Sequence, residues 1–149
     1  MTLENLLAIR RLQPHTADPA AIRKLLEAAR RNLADARVDR ISPDNRFDAA
    51  YKCVMQCAML GLWVRGYRTS TSQPGHHQTA IQCLGHTMGV ARDDIIVLDA
   101  LRRQRNVTDY EGDPVSEATL AEALVQAAKL LAHTETWLRA NRPDAIGDR

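Results

Sequence analysis

Between Ser42-Pro43 and Gly66 lies a stretch that is apolar nearly all the way round a helix. Ser42 supplies an N-cap, Pro43 suits the first helical position, and Gly66 is the residue type that ends helices. At ~100° per residue, Phe47, Tyr51, Val54, Met55, Ala58 and Leu62 share one side. Cys53, Cys57, Leu60 and Val64 fall opposite, with Met59 and Trp63 between. A helix without a polar face is either the centre of its own domain or is covered by a second subunit. In a chain of 149 residues, the size of one ordinary domain, the second explanation carries weight. The expectation is a homodimer built on this helix.

Other helices flank it. Thr2 to Leu12 is short and apolar-rich, and the Gln13-Pro14 step ends it. Asp18-Pro19 repeats the cap-and-proline start, and behind it Ile22, Leu25, Leu26, Ala29 and Leu33 form one stripe. Arg68 to Gly75 is polar and reads as an exposed loop. His77, Ile81, Leu84 and Met88 then align on a shorter helix, and Asp93-Asp94 opens one that reaches Tyr110. Gly112-Asp113-Pro114 breaks it, Ser116 caps the next, and Leu120, Leu124, Ala127, Leu131 and Leu138 stripe that one, with Trp137 near its end. The tail from 143 to 149 reads as frayed. Alanine occurs 22 times and only six residues are aromatic, a mix that favours helices over sheets. These readings predict one all-α domain, an up-and-down antiparallel bundle of four main helices plus short ones.

Several functions are disfavoured. No apolar run approaches a membrane span and the N-terminus lacks a signal pattern, so a cytoplasmic protein is expected. The net charge of +2 does not announce a nucleic-acid binder, although 17 of the 20 basic residues are arginine, the better fork for phosphate. Cys53, Cys57 and Cys83 make no disulfide framework. Without CxxC or HExxH they read as core fillers, not metal ligands with His76 or His77. Thr79 to Gly89, the best length for a recognition helix, has no Arg or Lys. No metal and no cofactor is expected.

The helix ending at Tyr110 carries the chemistry. Its inward face begins as Ile95 and Leu98 and continues as Arg102, Arg105, Asn106 and Asp109, with Tyr110 at the edge. Solvated residues belong opposite Ile95 and Leu98, not in line with them. Half-buried arginines need partners, and Asp109 follows Arg105 by one turn. Either this is an internal ion pair holding the bundle together, or it is a site.

Arg105-Asn106-Val107-Thr108-Asp109-Tyr110, late in the penultimate long helix, resembles the motif of the HEPN superfamily (higher eukaryotes and prokaryotes nucleotide-binding). Its ribonucleases read Arg-Asn-x-x-x-His, and other families end in Asp-Tyr as here. Asp44 to Tyr51, Gly66-Tyr67-Arg68 and Gly75-His76-His77 extend the resemblance over residues 42 to 139. It implies a helical homodimer whose polar motifs face each other and bind RNA or nucleotide. It also implies a toxin–antitoxin or defence setting, with a nucleotidyltransferase or antitoxin as partner. Active members cut RNA without metal, through the ribose 2′-OH.

On that pattern Arg105 would hold the crowded phosphate and Asn106 would orient it. Tyr110 stands where the ribonucleases have His. A phenol titrates near about 10 and is a poor base at neutral pH, so catalysis would need Tyr110 as a positioned hydrogen-bond or proton donor, or another imidazole, to replace that His. His77 is the candidate, its stripe pointing inward, unless it is simply a core histidine. Arg102, Asp109 and Tyr51 would line the substrate. A shifted alignment places Arg103, Thr108 and Tyr110 at the motif positions instead but loses the Arg-Asn anchor. Three functions follow: an RNA- or nucleotide-binding homodimer, an active metal-independent endoribonuclease, or a non-catalytic antitoxin or adaptor pairing through Phe47 to Val64.

Overall fold

Side-chain caps fix where three of the four long helices start. Asp18 Oδ1 accepts from the Ala21 amide at 2.8 Å, Ser42 Oγ from Asn45 at 3.3 Å and Ser116 Oγ from Thr119 at 3.1 Å. Each satisfies one of the free N–H groups of a first turn. The computed structural model describes residues 1–146. The order is α1 (Leu3–Ala8), β1 (Leu12–Pro14), α2 (Pro19–Ala36), α3 (Pro43–Val64), β2 (Tyr67–Thr69), α4 (His76–Gln82), α5 (Leu84–Met88), α6 (Arg92–Glu111), α7 (Glu117–Asn141) and α8 (Pro143–Ile146). The described chain is mostly helical.

α3 is the centre. Phe47, Val54, Ala58 and Leu62 are buried on one side, and Cys53, Cys57 and Leu60 are fully buried on the other. α2 and α7 make its most extensive contacts, and α5, α6 and β2 also pack on it. So much of the face expected to meet a second subunit is covered by the same chain, while Met59, Trp63 and Val64 stay partly exposed. Its two cysteines, Cys53 and Cys57, are free and buried, as is Cys83 between α4 and α5.

Side-chain ties show how the helices run. Arg46 Nε donates to the Ala36 carbonyl at 2.9 Å and Asn32 Nδ2 to Gln56 Oε1 at 2.8 Å, so α2 and α3 run in opposite directions. Asp44 Oδ1 accepts from the Val115 amide at 2.7 Å and pins the α6–α7 connection to the start of α3. A bond to an ionised acceptor contributes about 2 kcal/mol. Asp44→Ala is therefore expected to destabilise by roughly that amount, read as a lower urea midpoint with an unchanged slope.

Gly61 lets α5 approach α3. A Cβ there would sit 2.6 Å from Thr87 Oγ1 and 3.0 Å from Thr87 Cβ.

Three expectations are corrected. The fold is all-α apart from one short ribbon: β1 and β2 pair antiparallel, Leu12 with Thr69 and Pro14 with Tyr67, so the polar loop begins only after Thr69. Pairing to a remote segment, not local pattern, makes both strands. The helix read through His77 to Met88 breaks at Cys83 into α4 and α5. The tail is not frayed at 143–146: Ala145 is fully buried, and its carbonyl accepts from Arg23 Nε at 2.9 Å. Residues 147–149 of that expectation lie outside the described residues. Among the described residues, no helix is long and apolar enough to cross a membrane.

Candidate functional site

α6 turns its buried line, Leu98 and Leu101, toward α3 and α4, and its next two turns carry Arg102 and Arg105 on that side. Arg102 is held at its root: Nε donates to Asp99 Oδ1 at 2.8 Å, while Arg103 donates to Asp99 Oδ2 at 3.0 Å. Bonds from Arg102, then from Arg103, hold the Asp99 carboxyl below the usual carboxylate range against the opposite push of burial. Sequence reasoning missed Asp99. The signal was present, because Asp at i with Arg at i+3 and i+4 is a helical ion-pair spacing.

Arg105 is half-buried, with its guanidinium carbon 5.5 Å from the centre of the Tyr51 ring. That is cation–π range. Its Nε is 2.9 Å from Asp109 Oδ2, yet the N–H is not aimed at that oxygen, and Nε has no hydrogen-bond partner. The contact is therefore ionic and leaves donor capacity unused. The Asp109 side chain is 41% exposed, so much of the attraction is screened by water.

Tyr51 rises from α3 beneath Arg105. Its hydroxyl is 3.0 Å from His77 Nδ1, and the direction of that bond depends on the imidazole tautomer. His76, the first residue of α4, meets His77 edge-on at 4.6 Å between ring centres and is half-buried beside the cluster. Burial pushes the Tyr51 phenol up to about 12, against the lowering effect of Arg105 and Arg102. Burial, then the charges of His76, Arg105 and Arg102, push the His77 pKa below its ordinary value. At neutral pH the pair is an uncharged phenol and an uncharged imidazole.

These shifts set a pH dependence. The unfolded chain takes up its His77 proton near about pH 6.5, before the folded chain does. Stability should thus be flat above that value and fall as pH drops below it. His77→Gln should flatten this limb in urea titrations at a series of pH values. At the alkaline end the sign reverses. The unfolded Tyr51 phenol ionises near about 10 and the folded one near about 12, so stability falls across that interval.

The remaining candidates do not join the cluster. Asn106 is half-buried beside Arg105 on α6. Tyr110 is 82% exposed, turned roughly 140° from Arg105 around the helix. Within one chain the structure groups Arg105, Arg102, Tyr51 and His77, and leaves Tyr110 on the outer face with Ile96 and Val107. No group of three His, Cys, Asp or Glu among the described residues is placed to hold a metal.

No family model, curated protein or solved structure matches the chain.

Proposed function

We propose that the chain is a HEPN-like helical protein that binds RNA or nucleotide through phosphate at the Arg105–Tyr51–His77 cluster. The reading is that of a homodimer in a toxin–antitoxin or defence system. One observation carries it: Arg105 is half-buried on an aromatic ring with an Nε that no acceptor satisfies. A buried guanidinium donor without an acceptor is costly, and a phosphate oxygen would supply one in the geometry arginine fits best. Arg102, fixed by Asp99, adds a second charge, and the neutral Tyr51–His77 pair adds hydrogen-bonding groups without repelling an anion.

The test is titration of labelled RNA and of nucleoside monophosphates into the purified protein, with sedimentation giving the oligomeric state. Binding by a dimer is the expected result. A monomer that binds neither ligand would end the reading.

The neutral His77 favours a second reading, a metal-independent endoribonuclease. An imidazole uncharged at neutral pH can accept the 2′-OH proton. If Tyr51 donates to Nδ1, Nε2 carries the proton and only donates a hydrogen bond; the opposite tautomer, with Nδ1–H donating to Tyr51, leaves Nε2 as the base, and the imidazolium it becomes is the acid for the 5′-oxygen. Cleavage in EDTA, lost in His77→Ala and shifted in its pH profile by Tyr51→Phe, is the outcome this reading requires.

A further inference from the structure

The acidic residues are distributed unevenly. No Asp or Glu occurs between Glu4 and Asp18, or between Asp48 and Asp93. The fold brings these two acid-free stretches together, because β1 pairs with β2 and α4 packs against β2. The result is a basic face on a chain whose overall charge is nearly balanced.

The ribbon displays its cations on one side. Leu12 faces the core at 1% exposure, so Arg11 and Gln13 point the other way, and Arg68 Nε reaches across to Gln13 Oε1 at 3.2 Å. Arg10, Arg11 and Arg68 are exposed and form no ion pair among the described residues. Two clefts of about 280 and 420 Å³ meet at His86, and Arg11, Gln78 and Gln82 line the first. Both amides belong to α4, the helix that also carries His76 and His77 into the cluster.

We propose that this face holds the backbone of single-stranded RNA running on from the Arg105–Tyr51–His77 cluster, an inference that rests on the reading of that cluster as a phosphate site. The arginines of the ribbon take successive phosphates. The Gln78 and Gln82 amides, which both donate and accept, meet base edges without selecting one base. An exposed cationic ribbon with a single acid nearby, Glu4 at the second cleft, is the electrostatic footprint of a phosphate chain. The second cleft, lined by Thr2, Glu4, Arg65 and His86, is mostly polar and suits an extended polar polymer better than an inserting apolar anchor.

The test is fluorescence anisotropy of labelled oligouridylate with the full chain over a salt series. Arg11→Gln with Arg68→Gln should weaken binding about tenfold or more at low salt and reduce the log–log salt slope by roughly 0.7 per arginine. Arg11→Lys with Arg68→Lys should restore the slope, and Arg31→Gln with Arg40→Gln, on the far surface, should leave it unchanged. Melting curves confirm that all variants fold. An unchanged slope in the first pair, or equal loss in the far pair, overturns the inference. So does loss of binding to phosphatidylserine vesicles in the first pair with RNA affinity intact, which would make this a lipid surface. If wild type binds and Arg105→Ala does not, while the ribbon pair retains its slope, only this inference falls. If wild type binds no RNA, the cluster reading falls first.

Discussion

Gly61→Ala is expected to destabilise the protein by about 2 kcal/mol, and Gly61→Val by about 3 kcal/mol or more. The sign matters as much as the size. At an open helical position, replacing glycine by alanine gains up to about 1 kcal/mol in backbone propensity. Here the new methyl would lie 2.6 Å from Thr87 Oγ1, 3.0 Å from Thr87 Cβ and 3.2 Å from Met88 Cγ. Thr87 and Met88 are buried at 1% and 3% exposure, so neither can swing into solvent. The contact can be relieved only by moving α5 away from α3. Thr87→Ala removes the nearest atom, a hydroxyl that also lacks a hydrogen-bond partner. The pair should therefore be strongly coupled. Gly61→Ala in the Thr87→Ala background should cost less than in wild type, as urea unfolding of all four proteins would show. Additive costs would mean that the helices do not meet here.

Arg105→Ala is expected to reduce RNA or nucleotide affinity by about ten- to a hundredfold, the worth of one charge-assisted hydrogen bond. Folding stability should change by less than about 1 kcal/mol, as for a partly exposed ion pair. The contrast separates a site from an internal strut. If the Arg105–Asp109 contact existed to hold α6 in place, removal of either partner would lower stability and Asp109→Asn would behave like Arg105→Ala. On the phosphate reading, Asp109→Asn leaves the cation in place with less competition and affinity is retained or improved. Paired calorimetric and anisotropy measurements distinguish the two. A large stability loss in Arg105→Ala with no ligand bound by wild type identifies the strut.

The long helices were legible because their signals are local. Caps at Asp18, Ser42 and Ser116 and stripes at helical spacing do not depend on what lies elsewhere in the chain. The ribbon was not, because Leu12–Pro14 and Tyr67–Thr69 become strands only by meeting each other. The all-round apolar character of α3 was read correctly as pattern, but the choice between centre and interface depends on packing that no single segment encodes. The site was legible in part. Helical phase placed Arg102 and Arg105 on the inward line, and His77 on an inward stripe, but phase alone put Tyr110 at the edge of a face where the structure leaves it in water. Which side chains from α3 and α4 would lie under Arg105 is a tertiary fact, and the Tyr51–His77 bond spans 26 residues of sequence.

The β1–β2 ribbon has a kinetic consequence. Gln13 and Arg68 are 55 residues apart, so their contact closes a long loop for the return of only three paired residues on each strand. Short ribbons do not persist by themselves. This one needs α3 already in place to receive β2, and so it belongs to the late part of assembly. A chain in which α3 already packs on the distant α7 thereby acquires a second long-range closure, one expected to slow folding relative to helix growth.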